Sequence, residues 1–180
     1  DSIAQCYSAG IRVVMITGDH VATAGAIAES IGLRTSGALG GADLARMDDD
    51  GLREALESGV NVFARVTSQD KSRILGCLQD LGEVVSMTGD GVNDAPALQA
   101  ADIGVGMGLK GTDVAREASD VVLTDDNFAT IVAAVREGRG IFDNTKNFIR
   151  FLLSANFDEI ALILTTSLMG LPLPLRPVQI

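Results

Sequence analysis

Two carboxylates and an amide, Asp90, Asn93 and Asp94, fall within one glycine-punctuated stretch, Met87-Thr88-Gly89-Asp90-Gly91-Val92-Asn93-Asp94-Ala95-Pro96-Ala97-Leu98. Hard oxygen donors gathered in so short a turn suit a magnesium ion and the phosphate it accompanies. Glu83 to Met87 is a short apolar run that reads as a buried strand. Gly89 and Gly91 let the backbone turn sharply and approach a ligand, and Asn93-Asp94-Ala95-Pro96 reads as a helix start. Strand, turn and helix in that order aim the three side chains into a crevice at the carboxyl end of the strand, where open α/β sheets bind ligands.

Two further segments share this layout. Ile11 to Ile16 is a β-branched run ending in Thr17-Gly18-Asp19, and Val21 to Ile31 beyond it has helical apolar spacing. The helix N-terminus there offers free N–H groups and partial positive charge to an anion. Val60 to Val66, which includes Arg65, reads as a strand, Ser68 as the N-cap of the next helix, and Lys71 as a residue of its first turn. A cation in a first turn opposes the helix dipole, and an anionic phosphate facing it supplies the compensation. A compact ammonium can neutralise charge on a transferring phosphoryl group.

Thr88 to Pro96, taken with Thr17-Gly18-Asp19 and with Phe63-Ala64-Arg65-Val66-Thr67-Ser68-Gln69-Asp70-Lys71-Ser72-Arg73, resembles the P-type ATPases, the ion pumps that pass through an aspartyl-phosphate. One departure is mild: the family usually has a proline between Arg-Val and the Lys, where Gln69 and Asp70 stand here. The resemblance implies a haloacid-dehalogenase-like α/β fold, a parallel sheet with flanking helices. It implies ATP as substrate and Mg²⁺ held by Asp90, with catalytic roles for Lys71, Asp90, Asn93 and Asp94. Phosphate or nucleotide contacts are implied for Thr17, Gly18, Asp19, Arg65, Lys71 and Asn93. The family's Asp-Lys-Thr-Gly-Thr segment with its phosphorylated aspartate is absent, as are the nucleotide domain and the actuator loop, and Asp1 is an unusual start. The chain is therefore expected to be part of a longer pump and inactive alone.

The elements that must position these residues follow a βα rhythm from Ile11 through Val122, with short strands at Ile103 to Val105 and Val121 to Leu123. Such alternation predicts a parallel sheet covered by helices on both sides. Gly37 to Gly41 and Asp48-Asp49-Asp50-Gly51 read as loops, with a short helix at Leu52 to Glu57. Gly104-Val105-Gly106-Met107-Gly108 has the look of a dinucleotide loop, but Leu109-Lys110-Gly111 separates it from the next helix and no ribose-binding acid follows at the right distance. The 180 residues suffice for a core of ordinary domain size, and a net charge of −10 with pI ≈ 4.4 excludes a nucleic-acid partner. Cys6 and Cys77 are isolated, so neither a zinc site nor a disulfide framework is indicated and a reducing compartment fits.

Hydrophobic residues reach 47% and mean hydropathy is +0.28, yet charged residues crowd into the first 150 positions. From Asn127 the pattern changes. Phe128 to Arg139 is helical, and Arg136, Arg139, Lys146 and Arg150 precede an apolar run from Phe151 to Leu171 that is about long enough to cross a bilayer. Cations on that flank place it, and the catalytic part, in the cytoplasm. The expected organisation is thus a phosphorylation domain over 1–126, a connecting helix over 127–150, a transmembrane helix over 151–171, and a loop into a further membrane helix over 172–180.

Charged groups inside a membrane helix are functional candidates by default, because each costs several kcal/mol unless it pairs or lines an ion path. Asn156 and Glu159 are three apart on one helix face, with Thr166 seven beyond Glu159. Their hard oxygens suit Ca²⁺ or an alkali cation, not copper or zinc. Ser154-Ala155-Asn156-Phe157-Asp158-Glu159 looks like the fifth transmembrane helix of the pumps related to calcium and sodium/potassium ATPases, which implies that Asn156 and Glu159 are ligands of the transported cation. Asp158 faces elsewhere, and an additional ligand or a water-facing acid are both open. The reading is a piece of a multi-pass cation pump, Ca²⁺ being the best guess, whose partners are ATP, the cation, the bilayer and the rest of the pump. The alternatives are a monovalent-cation pump, a soluble phosphatase of the same fold, and a non-enzymatic Mg²⁺-binding module.

Overall fold

Among the described residues all six strands run parallel, and helices carry the chain from the end of each to the start of the next. The computed structural model describes residues 2–171. In order these form α1 (Ser2–Ser8), β1 (Met15–Thr17), α2 (Val21–Ser30), β2 (Ala38–Gly40), α3 (Gly41–Leu44), α4 (Asp49–Glu57), β3 (Val62–Ala64) and α5 (Ser68–Asp80). There follow β4 (Ser86–Gly89), a 3₁₀ turn (Val92–Asp94), α6 (Ala95–Ala100), β5 (Ile103–Met107), α7 (Asp113–Glu117), β6 (Val121–Leu123) and α8 (Phe128–Leu168). The strands fall into two three-stranded sheets, ordered β1-β3-β2 and β4-β5-β6, where alternation alone suggested one sheet.

β3 shows why helices must lie on both faces. Its three residues are all buried. Phe63 points into a cluster with Leu44, Leu52, Leu56, Ile74, Cys77 and Leu78, from α3, α4 and α5. Val62 and Ala64, on the opposite side of the pleat, pack with Ala24, Ala28 and Leu33 along α2 and its end. A central parallel strand buried on both faces reads as a continuous apolar run, which Val62-Phe63-Ala64 is, bounded by Asn61 and Arg65.

The segment expected as a loop at Gly37 to Gly41 contains β2, whose Ala38, Leu39 and Gly40 register against Val62, Phe63 and Ala64. Three residues carry too little periodicity to announce themselves, and the ladder to a distant strand is what makes them extended. The strand expected at Ile11 to Ile16 is confined to Met15–Thr17, and that expected at Glu83 to Met87 shifts to Ser86–Gly89. α5 is capped by Thr67, one residue before the expected Ser68. Thr67 Oγ1 accepts the Asp70 N–H while Asp70 Oδ2 accepts the Thr67 N–H at 2.8 Å, and this reciprocal pair outcompetes a single serine.

The chain divides into two compact units, Asp1–Val132 and Ala133–Ile180. α8 is one continuous helix over the expected connecting segment and most of the expected membrane segment. Among the described residues no helix is long and apolar enough to cross a membrane. Asn156, Asp158 and Glu159 interrupt the apolar run from Phe151 and lower its hydropathy. Residues 172–180, expected to be a loop into a further helix, lie outside the described residues.

Two carboxylates tie loops to the second sheet. Asp102 accepts the Val85 N–H at 2.8 Å and an N–H of Gln79 at 3.3 Å, and Asp126 accepts the N–H groups of Leu109 and Lys110 at 3.0 and 2.8 Å. Backbone hydrogen bonds are the largest cause holding both carboxyls below the ordinary carboxylate range. A carboxylate with a lowered folded-state pKa stabilises the fold above its unfolded-state value, and that stability is lost as pH falls through the lowered one. The thermal midpoint is therefore expected to drop on acidification below about pH 4, and an Asp102→Asn, Asp126→Asn double variant should show a shallower acid limb in thermal melts at stepped pH.

Candidate active site

Parallel topology sends the turns after β1, β3 and β4 out of the carboxyl ends of their strands. The third turn is held by Asp94. This residue is 6% exposed, and its Oδ2 accepts the N–H groups of Asp90 and Gly91, each at 3.2 Å. Its Oδ1 receives the ammonium of Lys71 from the first turn of α5. Gly89 is required by this clamp, since a Cβ there would fall 2.5 Å from the Asp94 Cβ. Asp94 thus spends its oxygens on protein donors.

Asp90 does the opposite. It is exposed, and its carboxylate has no protein partner among the described residues, while its backbone is fixed from both sides. The Asp90 carbonyl accepts the Thr112 N–H at 2.8 Å, which ties the turn to the N-cap of α7. Thr112 is a positioning residue that motif spacing did not single out, since an ordinary threonine N-cap carries no sequence sign of the distant carbonyl it binds. Asn93 is exposed in the 3₁₀ turn.

Thr17, Gly18, Asp19 and Arg65 form a second group. β1 and β3 pair Thr17 with Ala64, so the residues that follow each strand emerge side by side, and the Arg65 N–H donates to the Asp19 carbonyl at 3.0 Å. Thr17 Oγ1 donates to Asp19 Oδ2 and accepts the Asp19 N–H, both at 3.1 Å. Arg65 has a φ of 51°, the left-handed region that non-glycine residues rarely occupy. That conformation turns the chain abruptly at the strand end and leaves the Arg65 side chain exposed. Among the described residues no hydrogen bond or ion pair joins the Thr17 group to the Asp90 group; the link between the two sheets at this end is Lys71 with Asp94.

The donor chemistry fits magnesium. Mg²⁺ is commonly held by one or two carboxylates together with waters and substrate phosphate, and Asp90 offers one unspent carboxylate. Among the described residues no group of three or more His, Cys, Asp or Glu side chains could hold a metal by themselves. On α8, Asn156 and Asp158 are exposed and Glu159 is half-buried. The Thr166 hydroxyl donates to the Leu162 carbonyl at 2.9 Å.

A parallel α/β fold with an acidic turn, a first-turn lysine and a Thr-Gly-Asp turn at strand ends defines a class, and the model of the haloacid dehalogenase-like hydrolases matches residues 2–102: the chain belongs to that family. Its relatives narrow the class. It is 52% identical over 189 residues to calcium-transporting ATPase 1 of Schizosaccharomyces pombe, covering 100% of this chain and 21% of that protein. It is 51% identical over 181 residues to a calcium-transporting ATPase of Bacillus subtilis, covering 99% and 20%. The chain therefore spans about a fifth of the length of these relatives. Among solved structures, a zinc-transporting PIB-type ATPase in its E2.Pi state superposes with a TM-score of 0.66 at 29% identity, over 95% of this chain and 23% of that one.

The Lys71–Asp94 pair carries a direct stability test. Removing one member of a largely buried pair leaves the other uncompensated, so Asp94→Ala is expected to cost about 3 kcal/mol in urea unfolding, and Asp94→Asn less because its amide oxygen still accepts the turn N–H groups. An Asp94→Ala variant as stable as wild type would remove the clamp role.

Proposed function

We propose that this chain is the part of an ATP-driven cation pump that completes its phosphorylation site and begins its ion path. The observation that carries this is the division of labour between Asp94, which holds Lys71 and the turn, and Asp90, whose carboxylate is left for a ligand. The half-identity with calcium-transporting ATPases along the entire chain supports it. In the whole protein, an aspartate outside this chain takes the γ-phosphoryl group of ATP. Mg²⁺ held by Asp90 supplies charge neutralisation on the phosphoryl oxygens. Lys71 adds its ammonium, Thr17 and Gly18 supply a hydroxyl and a backbone N–H, and Asn93 orients the phosphoryl side. Arg65 and Asp19 bind toward the nucleotide.

The run from Phe151 is proposed to lie within a membrane bundle, with Asn156, Asp158 and Glu159 turned to neighbouring helices or to ions and not to lipid. A carboxylate kept at that depth requires a cation or proton partner. Ca²⁺ is the favoured cargo because an amide and a carboxylate are hard oxygen ligands and because the relatives named above are calcium-transporting.

The isolated 180-residue chain should form no acid-stable phosphoenzyme from labelled ATP, whereas the full-length protein should. In the latter, Lys71→Ala is expected to slow phosphorylation on the order of 10²-fold, and Asp90→Asn to raise the Mg²⁺ concentration required. Label in the isolated chain, or an unchanged Mg²⁺ dependence in Asp90→Asn, contradicts these roles.

The ion path is tested separately. Glu159→Gln in the full-length protein should abolish or greatly weaken cation-activated phosphorylation by ATP while sparing phosphorylation by inorganic phosphate, which needs only the phosphorylation site that Asp90 and the aspartate outside this chain share. Titrating Ca²⁺ against Na⁺ and K⁺ in that assay distinguishes the calcium reading from a monovalent pump. Unaltered cation affinity in both Glu159→Gln and Asn156→Ala would remove this helix from transport.

A further inference from the structure

Arg65 and Gly41 are two locally unfavourable choices that meet at one point. Arg65 leaves β3 with a φ of 51°, a conformation that the Cβ of a non-glycine residue resists. Such residues persist where their surroundings over-determine them, and they gather at functional sites. Gly41 is the first residue of α3 and its φ is not positive, so alanine, the better helix former, would suit its backbone. Space forbids it. A Cβ on Gly41 would lie 2.3 Å from the Arg65 carbonyl oxygen, 3.3 Å from the carbonyl carbon and 3.9 Å from the Val66 Cα. One on Gly40, by contrast, would meet only side-chain atoms of Val21 and Asp43, at 3.2 and 3.5 Å.

Neither backbone is free to step aside. The Arg65 N–H donates to the Asp19 carbonyl at 3.0 Å, and Ala64 before it lies in the ladder between Thr17 and Gly40. The Gly40 N–H donates to Asp43 Oδ2 at 3.0 Å, and α3 is anchored in the core by Leu44. Thr67, two residues after Arg65, is the N-cap of α5, whose first turn carries Lys71. All of these contacts are internal to the unit Asp1–Val132.

We propose that Gly41 is a positioning residue of the phosphorylation site, a role that rests on the pump reading given above. Its missing Cβ admits the Arg65 carbonyl, the seat of that carbonyl holds Arg65 left-handed, and the resulting turn sets where α5 starts and how Lys71 approaches the phosphoryl group. A methyl group at this position must push Arg65 out of its conformation or part β2 from β3. Either way the start of α5 shifts. A misplacement of about 1 Å, caused by a change remote from the chemistry, can cost on the order of 10²-fold in rate.

The rate of phosphorylation from labelled ATP in the full-length protein, compared among wild type, Gly41→Ala, Lys71→Ala and the double variant, tests this. Gly41→Ala is expected to slow phosphoenzyme formation at saturating ATP by about tenfold or more. Lys71→Ala, expected to cost on the order of 10²-fold in the wild-type background, should cost less than about tenfold in the Gly41→Ala background, because a misplaced ammonium has less to lose. A wild-type rate in Gly41→Ala overturns the proposal. So does an equal factor for Lys71→Ala in both backgrounds, since a loss of stability alone leaves the contribution of the lysine intact. Should Gly41→Ala fail to fold, Gly41→Ala combined with Arg65→Gly replaces it, with Arg65→Gly as its reference and the outcomes read the same way, because residue 65 can then turn its carbonyl away from the new Cβ. Absence of phosphoenzyme in the wild-type protein would instead refute the pump reading, and the same cycle followed by urea unfolding, through the Lys71–Asp94 pair, would still decide whether Gly41 places Lys71.

Discussion

The arrangement of this site depends on one buried carboxylate. Asp94 accepts the Lys71 ammonium and two backbone N–H groups of its own turn. Each bond draws on the same two oxygens, so the position of the lysine, the shape of the turn and the presentation of Asp90 are coupled. A buried charge without these partners would be several kcal/mol less favourable, which makes the partly formed arrangement unstable relative to the complete one. The same ion pair spans the two sheets, since Lys71 follows β3 and Asp94 follows β4.

Parallel topology does the rest of the gathering. Because the ladders align β1 with β3 and β4 with β5, the turns beginning at Gly18, Arg65 and Asp90 leave at carboxyl ends of strands. Helices return the chain to the opposite ends, and their small or apolar inner faces, Ala24 and Ala28 on α2 and Ile74 with Leu78 on α5, bury the strands on both sides. Reactive groups are thereby left on short turns whose backbones are pinned by non-local bonds such as Thr112 N–H to the Asp90 carbonyl. α8 is built differently. It has no buried residue among those described, and its polar residues Asn156, Asp158 and Glu159 are spaced along a helix that has no core of its own to join.

Much was legible in the residues themselves. Thr88 to Pro96 is dense in groups whose chemistry is local, glycines for a turn, carboxylates for a cation, proline at a helix start, and such signals survive without tertiary context. β6 at Val121–Leu123 and the start of α8 at Phe128 were likewise legible, since β-branched runs and helical periodicity are properties of neighbouring residues. β2 was not, because its extended form comes from pairing with Val62–Ala64 more than twenty positions away. Nor was the cap of α5, where Thr67 and Asp70 bond reciprocally and Ser68 offers a single donor and acceptor.

The division between Asp90 and Asp94 marks the boundary most clearly. As residue types at their spacing they are two equal carboxylates, which local chemistry does not separate; it was the resemblance to the pumps that assigned Mg²⁺ to Asp90. Burial decides between them: Asp94 lies inside with its oxygens consumed by Lys71 and the turn, and Asp90 lies outside with its carboxylate unspent. The sequence by itself determined which groups were available and that they sit in turns after strands, because those are short-range properties. Only the tertiary structure decided which acid is buried among protein donors and which keeps its carboxylate unspent, because desolvation and hydrogen-bond saturation depend on segments brought together from α5, β4 and α7.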